Sequence, residues 1–332
     1  MTPPPVIVAG GDVSAVGETR RQAQRLAGRL GLGEEAAGRV ALVATELAGN
    51  LWKHAGGDGW CQLEAIERDG ARCVRLVVVD RGPGIAQVAS ALRDGWSTRG
   101  TPGTGLGAVR RLSRDFDLHT VPGEGTVVVA EVGDAPPAAG FAHGGVGLAK
   151  SGEERSGDAW AVEEAPGKLW VLVADGLCHG PLAAEAADVA VAAFRALPGR
   201  TPGERIEAIH RRLHVSRGAA VAVAEVDAGA GVLRYAGIGN VAGALLGGEA
   251  PRSLLSMNGT AGHQARTLRQ LDYPWTPRSL LVMHSDGISA RWDLASRPGL
   301  QERRPSTIAA VLVRDFGRGR DDAAAVVARS AG

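Results

Sequence analysis

Two groups of polar residues have spacings that could do chemistry, one in each half of the 332-residue chain. In the first half, Glu46, Asn50, Lys53 and His54 recur at i, i+4, i+7 and i+8, which places them as a polar stripe on one helix. The apolar run RLVVVD then delivers Asp80 at a strand end, with Gly82 and Gly84 in the turn after it, and Gly103-Thr104-Gly105-Leu106-Gly107 stands at a helix start. An acid at a strand end is placed to accept a hydrogen bond from an exocyclic amine. Glycines at a helix start let backbone N–H groups and the helix dipole approach phosphate oxygens.

The second half carries acids at strand ends: Asp158 after Gly157, Asp175 before Gly176, Asp286 before Gly287, and the pair Asp321-Asp322. A single Asp-Gly is an ordinary turn. Three acids closing apolar strands, KLWVLVAD and RSLLVMHSD among them, would repel one another at one rim unless cations sat between them. The pattern predicts hard divalent cations held by oxygen. His179 is read either as a substrate-phosphate contact or as a loop-structuring residue, and His284, in an apolar strand, as a core histidine.

Several elements must position these residues. Residues 18–30, 34–55 and about 105–114 have helical periodicity, with Val40, Val43, Leu47 and Leu51 on one apolar stripe. Strand patterns run over 60–67, 74–79, 117–121 and 125–132, so helices are segregated over one antiparallel sheet. From 133 to 147 the chain, GDAPPAAGFAHGGVG, shows neither period and reads as the boundary between two domains. Beyond it strands are predicted at 158–164, 169–174, 219–226, 231–237, 241–246, 279–284 and 322–329. Helices are predicted at about 180–196, 202–214 and 305–315, giving an α+β sandwich.

Composition narrows the function. Lys plus Arg number 37 against 36 for Asp plus Glu, so no overall field concentrates nucleic acid or an anionic membrane. Three cysteines without metal-ligand spacing fit a reducing cytoplasm. No apolar run approaches the roughly 18 residues that span a bilayer, and the first residues lack the pattern of a signal peptide. The expectation is a cytoplasmic protein with no nucleic-acid and no membrane partner. Gly, at 48 residues, has about twice its usual share of roughly 7%, and it clusters beside the polar residues named above.

The order E-x-x-x-N, D-x-G-x-G, G-x-G-x-G resembles the Bergerat-fold ATPase/kinase superfamily. Within it, TELAGNLWKHA followed by DRGPGI and GTGLG looks most like the RsbT-type switch serine kinases, over about residues 10–132. That resemblance implies an α/β sandwich with helices over one mixed sheet, and an ATP site in which Asn50 holds Mg²⁺ and Asp80 reads the adenine amino group. Gly82, Gly84, Gly103, Thr104, Gly105, Leu106 and Gly107 would shape the nucleotide pocket. Glu46 would receive or orient the proton of the attacking hydroxyl, the one carboxylate that phosphoryl transfer needs beside its nucleophile. No histidine-bearing dimerisation helix precedes the motifs, so a sensor histidine kinase is not expected.

The order G-D, A-D-G-x-x-H-G, S-D-G, D-D resembles the SpoIIE/RsbX branch of the metal-dependent serine/threonine phosphatases, over about residues 143–330. It implies an α-β-β-α sandwich in which Asp175 bridges two Mn²⁺ or Mg²⁺ ions, Asp158 and the Gly176 carbonyl complete one site, and Asp286 with Asp321, or alternatively Asp322, completes the other. A water between two such ions is acidified and attacks phosphorus directly. Cys178 departs from the family's usual glycine, and Ala323 follows the acid pair where a hydroxyl residue is common. The two resemblances together imply domains at 1–135 and 148–332 joined by a linker at 136–147. They also imply kinase and phosphatase activities acting on a STAS-domain anti-sigma antagonist or stressosome-like scaffold. The alternative is a phosphatase whose first domain is only a nucleotide-binding regulatory or partner-switching module.

Overall fold

The computed structural model describes residues 5–68, 70–93, 105–134, 140–265 and 268–331. The chain divides into two compact units, Met1–Pro137 and Ala138–Gly332. Among the described residues no helix is long and apolar enough to cross a membrane.

The first unit runs β1 (Val6–Ala9), α1 (Ser14–Arg29), α2 (Glu34–Ala55), β2 (Gly59–Arg68), β3 (Ala71–Asp80), α3 (Val88–Ala91), α4 (Leu106–Leu112), β4 (Asp115–Val121) and β5 (Gly125–Gly133). Its sheet has the order β1-β2-β3-β5-β4. Every pairing is antiparallel, so the sheet is not the mixed one the family resemblance implied. The stripe Val40, Val43, Leu47 and Leu51 of α2 is buried against Leu63, Leu76, Val78, Val128 and Ala130 of the sheet. Glu34 and Glu35 in the first turn of α2 oppose the positive end of its dipole, and Gly56, at φ 62°, closes it in the left-handed conformation.

On the sheet face opposite the helices, Arg75 is buried between two carboxylates. Its Nη2 lies 2.8 Å from Glu131 Oε1 and its Nη1 lies 3.2 Å from Glu64 Oε2, while Arg114 Nη2 reaches Glu131 Oε2 at 2.8 Å. Burial works to raise the pKa of Glu131, but Arg75 and Arg114 together outweigh it and bring the group to about 2. Glu64, with the longer contact, is raised by the same burial because Arg75 compensates it less. Since the folded-state pKa of Glu131 is depressed, its contribution to stability is present above about 4.5 and is lost as pH falls toward 2. Glu131→Gln is expected to destabilise the first unit by about 3–5 kcal/mol near pH 7, the cost of leaving a buried guanidinium short of its partner. Urea unfolding at neutral pH and near pH 3 measures this, and the difference from the parent should shrink at the lower pH.

The second unit runs β6 (Phe141–Leu148), β7 (Asp158–Ala165), β8 (Lys168–Gly176), α5 (Pro181–Arg195), α6 (Pro202–Leu213), β9 (Ala219–Asp227), β10 (Val232–Ile238), β11 (Ala242–Leu246), β12 (Arg252–Leu254), β13 (Gln270–Pro274), β14 (Leu280–His284), α7 (Pro305–Phe316) and β15 (Ala323–Ser330). Two five-stranded sheets, β13-β10-β9-β8-β7 and β12-β11-β14-β15-β6, enclose a core of Phe141, Leu169, Val171, Val173, Tyr235, Leu281, Met283 and Val326. Helices α5 and α6 pack on the first sheet through Ala186, Ala190, Phe194, Ile206 and Ile209, and α7 packs on β6 and β15 of the second. The architecture is the expected α-β-β-α sandwich. α6 begins in a reciprocal cap: Thr201 accepts from the Glu204 N–H, the Glu204 side chain accepts from the Thr201 N–H, and Pro202 opens the first turn.

One expectation fails at the boundary. Residues 141–147, read as linker, belong to β6, which pairs with β15 from Phe141↔Ser330 to Leu148↔Ala323. Their glycines answer close packing instead of turning the chain. A Cβ at Gly144 would collide with the Ser306 side chain, and one at Gly145 would stand 2.6 Å from the Trp160 ring. Strands β1, β12 and β13 and the single turn α3 were likewise absent from the sequence pattern.

Candidate functional site

In the first unit the end of α2 is the meeting point. Glu46, Asn50 and Lys53 are half-buried on it and His54 is exposed. Asp80 ends β3, and its Oδ1 accepts hydrogen bonds from the N–H groups of Gly82 (2.9 Å) and Thr126 (3.1 Å), which holds the turn closed. A Cβ at Gly82 would stand 2.9 Å from the Ala55 Cβ, so this turn lies against the last residue of α2. The far side of the turn is stitched to the β4–β5 hairpin by Gly123 N–H to the Pro83 carbonyl (2.8 Å) and Ile85 N–H to Thr120 Oγ1 (2.9 Å). Gly84, at φ 70°, passes so close to the Val121 carbonyl that no side chain fits. Gly105 caps α4, Leu106 begins it, and Gly107 is buried within it as α4 packs on α2. Gly103 and Thr104 lie outside the described residues.

In the second unit the acids converge. Asp158 and Asp175 face one another directly across the β7–β8 ladder. Asp158 is buried, and its Oδ2 has no hydrogen-bond partner among the described residues. Burial, then the Asp175 charge, pushes its pKa well above the usual carboxylate range. Asp175 is pushed up to about 7 by burial and by the nearby Asp286. Asp286 is held by Asn240, whose Nδ2 donates to its Oδ2 at 2.6 Å. Gly176 is buried behind the pair and donates its N–H to the Gly157 carbonyl at 2.9 Å.

The two final acids separate by environment. Asp322 is buried, with Oδ1 accepting from the Lys150 N–H (2.7 Å) and Oδ2 from the Gly157 N–H (2.8 Å). Asp321 is exposed, and its Oδ1 accepts from the Asp322 N–H at 3.0 Å. Both oxygens of Asp322 therefore organise the loop that presents Asp158, while Asp321 faces outward.

Three contributors escaped the sequence pattern. Ser285 is fully buried, its Oγ accepts the Ala324 N–H at 2.9 Å, and it works against the rise in the pKa of Asp158. Asn240, after Gly-Ile-Gly, reads as a plain turn residue and meets Asp286 only through the tertiary fold. Glu153 reaches His179 from a separate loop at 2.8 Å. His284 is a core residue as expected: Nδ1 lies 2.7 Å from the Ser285 carbonyl and Nε2 accepts from the Trp292 indole at 2.9 Å. Its pKa is lowered, chiefly by burial.

Among the described residues no three His, Cys, Asp or Glu side chains are drawn in to the spacing of a closed metal site. A buried carboxylate oxygen without a donor, raised acids on both sides of a ladder and an all-oxygen donor set fit a hard divalent cation.

Residues 11–131 match the histidine kinase-like ATPase domain family, and residues 165–330, half of the chain, match the stage II sporulation protein E (SpoIIE) family. The serine/threonine-protein kinase RsbT of Bacillus subtilis (strain 168) is 35% identical over 111 residues, 33% of this chain and 83% of its own. A chain from a structure of the bacterial stressosome, described as a modular system adapted to control secondary messenger signalling, is similar at 29% identity with a TM-score of 0.54. The match covers 57% of this chain and 99% of that one. RsbX in complex with magnesium shares the fold at a TM-score of 0.51 and 19% identity, over 59% of this chain and 98% of its own. The chain belongs to the SpoIIE family through its second unit, a serine/threonine phosphatase fold, and to the RsbT-like histidine kinase-like ATPases through its first, the two fused in one protein.

Proposed function

We propose that this partner-switching regulator both writes and erases one phosphate mark: the first unit transfers phosphate from Mg-ATP to a seryl or threonyl residue, and the second hydrolyses the product with Mn²⁺ or Mg²⁺. The observation that carries the hydrolytic half is the Asp158–Asp175 pair, opposed across one ladder with a buried oxygen left without a donor. Asp175, Asp158, the Gly176 carbonyl, Asp286 and Asp321 would hold the cations. Asp321 is preferred to Asp322 because both oxygens of Asp322 are already engaged by backbone N–H groups. Bound cations would supply neutralisation of the phosphate charge and an acidified water. The protein's own part is to orient the acids: Asn240 holds Asp286 by a hydrogen bond, and the β7–β8 ladder sets Asp158 opposite Asp175.

In the first unit, Asn50 would hold Mg²⁺. Asp80, oriented by the Gly82 and Thr126 N–H groups, would accept from the adenine amine. Gly82, Gly84, Gly103, Thr104, Gly105, Leu106 and Gly107 would line the nucleotide. Glu46 would take the hydroxyl proton. The partner is read as a STAS-domain anti-sigma antagonist or stressosome-like scaffold, which the likeness to RsbT and to the stressosome-associated chain supports.

The test is incubation with γ-labelled ATP and a candidate STAS protein. Label is expected to appear with Mg-ATP and to be released as inorganic phosphate once Mn²⁺ is added. Label that appears and persists under Mn²⁺ refutes the hydrolytic half, and label that never appears refutes the kinase half.

A further inference from the structure

The segment 257–264, between β12 and β13, lies along the end of the first sheet of the second unit. Ala261 and Ala219 exchange both backbone hydrogen bonds, at 2.9 and 3.1 Å. On the β8–β9 ladder Ala219 stands opposite Gly176, and Ala220 opposite Asp175. At the other end of the segment the Met257 carbonyl accepts the Gly239 N–H at 2.9 Å, and the Met257 N–H donates to the Gly237 carbonyl at 2.8 Å. These bonds brace the turn from which Asn240 reaches Asp286. One segment therefore backs both sides of the acidic rim.

A single side chain ties this segment to α6. His210 Nδ1 accepts the Gly262 N–H at 3.0 Å. Gly262, at φ 95°, passes so near the end of α6 that a Cβ there would stand 2.7 Å from the Leu213 carbonyl. A backbone N–H can only donate, so Nδ1 must be without a proton. An imidazolium carries a proton on both nitrogens and cannot make this bond.

The surroundings oppose that proton as well. His214, one turn further along α6, meets the His210 ring edge-on with centroids 4.8 Å apart, and His263 belongs to the segment itself. Burial first, then these two histidines, hold the pKa of His210 below its usual 6.5. Glu207, Arg211, Arg212 and Arg217, on α6 and the turn after it, are exposed. The elements packed on α6 carry Glu185, Asp188 and Arg195 on α5, Glu225 and Asp227 on β9, and Arg234 on β10. None of these contributes to the shift, and no carboxylate among the described residues favours the imidazolium. Because the folded-state pKa is depressed, the contact is whole above about 6.5 and is lost as pH falls through the folded-state value.

We propose that His210 is a positioning residue for the acidic rim: while neutral it clasps the segment 257–264 to α6, and its protonation releases the segment and weakens cation binding at Asp175, Gly176 and Asp286. This rests on the reading of the second unit as a hydrolase. The proton comes from solvent, and no covalent bond other than its own N–H is made.

A non-titrating acceptor separates the clasp from plain packing. His210→Asn sets an amide oxygen near the place of Nδ1 and accepts from Gly262 at every pH, whereas His210→Leu accepts at none. In the full-length, metal-free protein, hydrogen-exchange protection of the 257–264 amides is compared at about pH 7.5 and about pH 5.5, on either side of the ordinary histidine range. Parental protection is expected to fall by about 10-fold at the lower pH, the upper range for one net hydrogen bond. His210→Asn should change by less than about twofold, and His210→Leu should be poorly protected at both. Calorimetric Mn²⁺ titration should follow the same order. The rim acids titrate alike in parent and His210→Asn, so acidification should cost the parent about 3- to 10-fold more Mn²⁺ affinity than that variant. Matching pH profiles in the parent and His210→Asn, or parental protection in His210→Leu at the higher pH, overturn the clasp. Exchange in the expected order with Mn²⁺ affinity equal in all three proteins overturns the positioning role. A parent that neither binds Mn²⁺ nor hydrolyses a phosphoseryl peptide overturns the hydrolase reading and the positioning role with it, a pattern distinct from either because exchange still reports the clasp.

Discussion

Asp175→Asn is expected to remove phosphoester hydrolysis by at least about 10²- to 10³-fold, the loss typical of deleting one preorganised electrostatic group, with no recovery at high Mn²⁺. Asp175 touches the environment of Asp158 on one side and of Asp286 on the other, so its loss disables both proposed cation positions together. Asp286→Asn or Asp158→Asn weakens one position, and raised Mn²⁺ should restore part of the rate. Asp321→Asn should follow Asp286→Asn. Asp322→Asn should act differently: an amide can accept one of the two backbone N–H groups now held but presents its own N–H₂ to the other, so folding stability falls while Mn²⁺ affinity of the folded protein changes little.

A stability measurement separates loss of chemistry from loss of fold in Asp175→Asn. Burial and the neighbouring acid raise the folded-state pKa of Asp175 to about 7, so its favourable contribution is complete below the ordinary 3.8 and is lost as pH rises through about 7. At pH 8 without divalent cations the parent bears the whole penalty, and Asn relieves it. The variant's Tm should therefore equal or exceed the parent's, while only the parent gains Tm when Mn²⁺ is added. Full hydrolytic activity in Asp175→Asn, or parental activity that survives a chelator, removes the cation-assisted mechanism.

The second large effect is expected in the first unit. Glu46→Gln should retain ATP binding and lose phosphoryl transfer by roughly 10²-fold or more, the contribution of a positioned base. The groups proposed for adenine and phosphate lie on other elements: Asp80 at the end of β3 and the glycines at the start of α4. Asp80→Asn should instead weaken nucleotide binding itself, since its Oδ1 holds the turn at Gly82 and the Thr126 N–H as well. Fluorescent-nucleotide titration and γ-label transfer read the two effects independently. Parental transfer by Glu46→Gln would favour a regulatory nucleotide-binding module.

The sequence by itself determined the elements whose period is enforced by burial on one face. The stripe Val40, Val43, Leu47 and Leu51 fixes α2, and with it the register of Glu46 and Asn50; the run ending in Asp80 fixes β3; the acids that end KLWVLVAD and RSLLVMHSD fix where carboxylates can gather. These signals are local, so a linear reading recovers them. What only the tertiary structure decided depends on partners distant in the chain. β6 looked like linker because Gly144 and Gly145 make room for Ser306 and Trp160, and their neighbours on that strand are supplied by β15, some 180 residues later. The distinction between Asp321 and Asp322 arises from the N–H groups of Lys150 and Gly157, and the Asn240–Asp286 and Glu153–His179 contacts join loops that no spacing rule connects. Propensity and period act within one element, whereas protonation, orientation and burial of a side chain are set by whatever the fold brings against it.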